Sequence, residues 1–241
     1  MSIDAPAARA RALWQELAAA PDAAFGTPPR PGVFVSPDSS LAPPPWVGVV
    51  TIGDTALITA PTDRAAAVRT ALDGLSTTRL TDPGTVTALL PVSDTLGPAT
   101  LAYLTPDALR PPEPTGTPTE CLPPGDAALR ALSEEAGEED AGESGLEEIT
   151  SPVFVVRDGG TWVLAAAGYP HWPRDTAHLC VLTAPDARGR GLARQAASET
   201  TAHALAAGLL PQWRARPAAS RRLASALGYR ELGAQLSVRL V

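Results

Sequence analysis

Ala177-His178-Leu179-Cys180-Val181-Leu182-Thr183, then Ala184-Pro185-Asp186-Ala187, then Arg188-Gly189-Arg190-Gly191-Leu192-Ala193 is the stretch that decides the reading of this chain. Its first part predicts a strand over 176–183, its proline and glycines stop that strand, and the residues from 191 to about 207 predict a helix. Strand, glycine turn and helix in that order make an anion site. The first amides of a helix lack partners within it, the helix end carries partial positive charge, and Arg188 and Arg190 add full charges beside it. A diphosphate ester gains more from this set than a single carboxylate does.

Three phosphate loops compete for the turn. A Walker loop ends in Gly-Lys-Ser/Thr, and the chain has no lysine. A dinucleotide loop needs a third glycine where Arg194 stands, an acidic residue about twenty positions on, and repeated strand-helix units around it. What remains, Arg188-x-x-Gly191-x-Ala193, resembles the acyl-CoA loop Arg/Gln-x-x-Gly-x-Gly/Ala of the GNAT acetyltransferase superfamily. The resemblance continues through Gly208–Ala215 as a fifth strand and Pro217–Tyr229 as a fourth helix ending in Leu227-Gly228-Tyr229. It covers residues 120–241. Leu96–Leu104 resembles a segment of two-part members, in which a reduced GNAT-like half precedes the catalytic one.

The resemblance implies an α/β chain with a mixed sheet: a GNAT acyl-CoA N-acyltransferase fold in the C-terminal half and a smaller α/β N-terminal domain. It implies acetyl-CoA as cofactor, with Val181, Leu182 and Thr183 along the pantetheine arm. Arg188, Gly189, Arg190, Gly191, Leu192 and Ala193 would hold the diphosphate, Ser220 on the following helix would join the cofactor set, and Arg194 or Arg222 would reach the adenosine phosphate. The implied reaction moves an acetyl group to a primary amine of a small molecule, with a protein amine as second choice. A homodimer is compatible with the family.

Two positions depart from the family. Pro217 stands for the asparagine that opens the fourth helix and Ala224 for the tyrosine that protonates the departing thiolate. The catalytic candidates are therefore Tyr229 as acid, His178 or Asp175 as base, and Glu147 or Glu148 acting through water. Thr176, His178 and Cys180 share one strand face by period two. Tyr169, His171 and Trp172 occupy the turn where relatives shape the acceptor pocket, and Trp213 is expected to pack between strand and helix. Loss of the usual acid keeps a second reading open, a non-catalytic acyl-CoA-binding or regulatory module.

Composition bounds the rest. Hydrophobic residues make up 44% and charged residues 19% of the 241, enough for a core and too little charge for a disordered chain. A net charge of -7 argues against nucleic acid as the main partner. No apolar run approaches the ~18 residues of a spanning helix, so a cytoplasmic protein is expected without a membrane partner. Cys121 and Cys180 build no disulfide framework, and with three histidines they fall in no ligand spacing, so no metal is expected.

The expected organisation is an N-terminal domain over 1–110, a proline linker over 111–119 and the acetyltransferase domain over 120–241. In the first part a helix over 7–20, a strand over 33–35, a hairpin of 46–51 and 55–59, and a helix capped by Asp63 are predicted. In the second, a helix over 126–136 leads into an acidic stretch read as mobile or frayed helix. Strands over 152–157, 161–168, 176–183 and 209–215, a helix over 217–227 and a terminal strand pair follow.

Overall fold

A computed structural model describes residues 5–113 and 117–241. The centre of the expected linker, 114–116, lies outside the described residues. The chain forms two compact units, one of Met1–Ala102 with Glu231–Val241, the other of Tyr103–Arg230.

The first unit contains α1 (Ala5–Leu17), β1 (Gly32–Val35), β2 (Val47–Ile52), β3 (Thr55–Ala60), α2 (Ala65–Leu72), α3 (Thr77–Leu80), α4 (Pro83–Leu89) and β4 (Val92–Tyr103). β2 and β3 form the expected hairpin, closed by the Thr55 hydroxyl donating to the Ile52 carbonyl at 2.7 Å. Asp63 does not cap α2. Proline at 61 lets the chain turn early, Arg64 takes the cap position without a side-chain bond, and Asp63 pairs with Arg64 at 3.2 Å on the surface. The short α3 and α4, absent from the sequence reading, begin at Ser76 and at Asp82-Pro83, whose side-chain oxygens accept from the Arg79 and Thr85 amides.

The last strand, Arg230–Leu240, departs from expectation. One continuous strand replaces the strand pair, and it runs antiparallel to β2 from Gly233↔Ile52 to Val238↔Val47 within the first unit. Its alternation explains the placement. Leu236 and Val238 are fully buried in one cluster with Val49, Ile58, Val68 and Leu72. Each such side chain contributes roughly 1.5–3 kcal/mol when it leaves water.

The second unit contains β5 (Thr119–Leu122), α5 (Ala127–Ala136), α6 (Glu138–Ser144), β6 (Val153–Arg157), β7 (Val163–Gly168), β8 (His171–Trp172), β9 (Thr176–His178), β10 (Cys180–Thr183), α7 (Leu192–Ala206), β11 (Leu210–Ala215) and α8 (Ala218–Leu227). β10, β7, β6 and β5 make an antiparallel sheet in that order. α7 lies on β6 and β7, and both partners bury small residues: Ala165, Ala166 and Ala167 on β7, Ala196, Ala197 and Ala204 on α7. Buried Thr200 and Thr201 satisfy their hydroxyls on the carbonyls of Ala196 and Ala197, so the helix can carry them inward without orphaned donors. The acidic stretch contains the short α6, bracketed by Gly137 (φ 85) and Gly145 (φ 65). Among the described residues no helix is long and apolar enough to cross a membrane, and no His, Cys, Asp and Glu group is placed to hold a metal ion.

Candidate active site

The strand expected over 176–183 breaks at Leu179, and that break makes the site. Its first half, β9, pairs in parallel with β11 up to Gln212↔His178, and the Leu179 amide donates to the Gln212 carbonyl at 2.8 Å. Its second half, β10, pairs instead with β7, from Cys180↔Gly168 to Thr183↔Ala165. β11 runs on to Ala215 without it. The two strands therefore part beyond Leu179 and leave a cleft of about 470 Å³. Leu179, Val181 and Thr183 line one wall; Trp213, Arg214 and Ser220 line the other.

Backbone alternation says which groups face this cleft. The Ala184 amide donates to the Leu164 carbonyl at 2.9 Å, so 184 and 164 are a hydrogen-bonded pair. In an antiparallel ladder such pairs alternate, which turns Leu182 and Cys180 toward β7 and Val181 and Thr183 away from it. β10 is the edge of its sheet, so the donors and acceptors of Val181 and Thr183 point into the cleft. An extended ligand can add to that edge as a further strand would. The amide of Leu182, in the cofactor set by sequence, is directed at β7.

At the far end of the cleft a turn over Pro185–Ala187 leads through Gly189 (φ 76) to Gly191 (φ 80, ψ 0), which occupies the cap position of α7. A Cβ built on either glycine meets nothing within 4 Å. The left-handed backbone, not lack of space, is what these positions require. Gly191 offers no side chain to cap α7, and the first intrahelical bond runs from the Gln195 amide to the Gly191 carbonyl at 3.2 Å. The amides of Leu192, Ala193 and Arg194 precede it, and all three residues line the cleft, as do Arg188, Gly189 and Gly191. Arg190 is exposed and does not line it.

Side chains fix the walls. Ser220 accepts from Trp213 Nε1 at 2.9 Å and holds the indole against the cleft. The Arg194 guanidinium donates back to the carbonyls of Ala226 (3.1 Å) and Arg110 (3.4 Å), tying the first turn of α7 to the end of α8. Arg222 is exposed outside the lining. α8 ends at Gly228 (φ 99), where a Cβ would lie 2.0 Å from the Ala108 carbonyl oxygen, so the Leu-Gly-aromatic signature has a steric origin.

The catalytic candidates Tyr229, His178, Asp175, Glu147 and Glu148 all fall outside the cleft lining. His178 is buried, stacked on Trp172 with ring centroids 4.0 Å apart, and its Nδ1 donates to Gln212 Oε1. Burial, helped by the nearby Arg214 charge, pulls its pKa down to about 3 against the Gln212 hydrogen bond. An imidazole so held is neutral and a weak base. Tyr229 is sealed between α7 and Trp213: its hydroxyl bonds Thr201 at 2.9 Å, its ring meets the indole edge-on at 5.3 Å, and burial pushes its pKa up. Asp175 is exposed in the turn before β9 with φ 50, and its carbonyl accepts from the Leu210 amide. Cys180 is buried, and desolvation together with the Glu148 charge pushes its thiol up to about 12, against the pull of Arg214. It stays protonated and does not act as a nucleophile.

One arginine and two acidic residues, Arg214, Asp140 and Glu143, line the cleft without having been placed there by the sequence. Arg214 lines the cleft with its guanidinium carbon 5.6 Å from the Trp172 ring centroid. Its place on β11, two residues beyond Gln212, could have marked it. Glu148 is exposed in the turn packed on β10, and its charge acts on both Cys180 and Arg214. Asp140 and Glu143 of α6 also line the cleft; nothing in an acidic run foretold it.

Residues 154–234 match the family model of the GNAT acetyltransferases. That segment, about a third of the chain, is what is similar to the GNAT acetyltransferases. It contains the parted strands, the glycine turn and α8, and the family's chemistry is acyl transfer from acetyl-CoA. Among solved structures, the chain is similar to a GNAT-family protein from Novosphingobium aromaticivorans at 23% identity and a TM-score of 0.48, covering 61% of this chain and 65% of that one. A GCN5-related N-acetyltransferase from Kribbella flavida is 20% identical with a TM-score of 0.48, covering 60% and 58%. A tandem GNAT protein from the clavulanic acid biosynthesis pathway is 14% identical with a TM-score of 0.43, covering 66% and 58%. The chain thus spans less than two thirds of the length of each. No curated protein sequence matches it.

Proposed function

We propose that this protein is an acetyl-CoA-dependent N-acetyltransferase acting on a primary amine of a small molecule. The observation that carries the reading is the cleft between parted strands, which runs from the exposed edge of β10 to the glycine turn at the start of a 15-residue helix. The residues fit the cofactor. Val181 and Thr183 offer an unpaired strand edge to the pantetheine arm, and the amides of Leu192, Ala193 and Arg194 with Arg188 offer donors and charge to the diphosphate. Acetyl-CoA, when bound, supplies a thioester carbonyl open to attack by a neutral amine.

The chain's own part is positioning and proton handling. The Val181 amide donates to the oxygen on which negative charge develops, a contribution of ~3 kcal/mol where such donors have been removed. Glu148 accepts the proton from the ammonium that attack creates. Neither acid weighed from the sequence is available to the leaving sulfur: Ala224 stands in the tyrosine position and Tyr229 is sealed. With neither acid available, acetyl-CoA would have to supply a leaving group that needs no protonation, as a thiol with a pKa of ~8.5 can. Release of free thiol from acetyl-CoA across a panel of small amines tests the proposal: turnover with at least one amine supports it. The second reading, a non-catalytic acyl-CoA-binding module, draws on the same sealed acid and buried histidine and predicts cofactor binding with no turnover on any amine.

A further inference from the structure

α6 makes two ion pairs at the cleft, one to the glycine turn and one just past the end of β11. Asp140 accepts from Arg188 Nη2 at 2.6 Å, on the side of the glycine turn. Glu143 accepts from Arg216 through Nε at 3.1 Å and again through Nη2, beyond the end of β11. Beyond these pairs the helix packs against α5 and β10. It has seven residues, none of them buried, and positive-φ glycines stand at both ends. Asp140, Glu143 and Ser144 line the same cleft as Arg188, Gly189 and Gly191.

Arg188 thus has two claimants. Its guanidinium serves the Asp140 carboxylate, and it is the cleft-lining charge on the turn to which the proposed function assigns the diphosphate. A carboxylate at 2.6 Å cancels much of the field that a diphosphate would feel from Arg188 and repels the diphosphate itself. Both partners are half-exposed, so the pair is weak enough to exchange.

We propose that Asp140 sets cofactor affinity by competing for Arg188, and that α6 is an ionic strap which the diphosphate unfastens. The inference rests on the acyl-CoA reading of the cleft. Calorimetric titration of the full chain with coenzyme A separates the two. Asp140→Asn should tighten binding by roughly three- to tenfold at low salt, an advantage that shrinks as salt rises. Glu139→Gln, the same charge change on an exposed neighbour, should leave affinity unchanged. In an Arg188→Gln background the gain from Asp140→Asn should vanish. Equal tightening in both single variants, or no tightening in Asp140→Asn, overturns the strap and leaves the acyl-CoA reading intact. Failure of the unaltered protein to bind coenzyme A removes both. A readout without substitution is amide exchange over 138–144, which should quicken severalfold on saturation with coenzyme A. Slower exchange there overturns the strap as well.

Discussion

The Leu179 amide donates to the Gln212 carbonyl at 2.8 Å, and this is the last rung joining the two strands that line the cleft. Below it the chain belongs to a parallel pair with β11; above it the chain belongs to β7. One residue therefore separates a closed sheet from an open edge.

That edge gives the first prediction. Val181→Pro removes an amide that faces the cleft, and edge positions tolerate proline because no ladder bond is lost. The variant should fold, bind coenzyme A within a few-fold of the unaltered protein, and lose on the order of 10²–10³ in kcat. Leu182→Pro removes an amide directed at β7 and should unfold or melt many degrees lower. Melting curves and single-turnover thiol release check both. Equal damage from the two would contradict the alternation.

His178 should matter to stability and not to the reaction. In the unfolded chain it titrates near 6.5, in the folded one at about 3. Across that window the unfolded state binds the proton, so stability falls as pH drops from 7 toward 3, by at most about 1.4 kcal/mol per pH unit from this group. His178→Gln should flatten that part of the slope while keeping kcat within a few-fold. Denaturant midpoints at pH 7, 6 and 5 measure the difference between the two proteins.

The contrast with sequence reasoning is instructive at this residue. Period two placed His178, Thr176 and Cys180 on one face, but could not show that Trp172 and Gln212 arrive from other elements to cover the imidazole. The glycine turn was legible because the left-handed backbone at 189 and 191 admits few residues other than glycine, whereas the break at Leu179 was not, because it depends on which strand lies on each side. The final strand was misplaced for a related reason: its pattern fits either unit, and the partner β2 lies about 180 residues upstream. Ion pairs from α6 were invisible since charge runs carry no address.

Tyr229→Phe should cost stability of roughly 0.5–1.5 kcal/mol and leave the pH dependence of kcat unchanged. Thr201 still donates to the Ala197 carbonyl at 2.7 Å, so the lost hydroxyl leaves no unpaired donor behind. A shift in the alkaline limb of the rate profile would return Tyr229 to the reaction.

Glu148→Gln should lower kcat/KM by roughly ten- to a hundredfold, at the low end of proton-transfer effects because water also reaches this exposed turn. The loss should shrink as pH rises and hydroxide takes the proton that attack releases. A pH-independent loss would assign Glu148 to substrate binding instead.

The central claim is that the cleft recognises a diphosphate ester at the start of α7. Parallel titrations of the full chain with coenzyme A and with pantetheine, which lacks the nucleotide and its phosphates, test it most directly. Coenzyme A should bind at one per chain and at least a hundredfold more tightly than pantetheine, with that preference lost in Gly191→Val. Equal affinity for the two compounds, or a preference that survives the substitution, would contradict it.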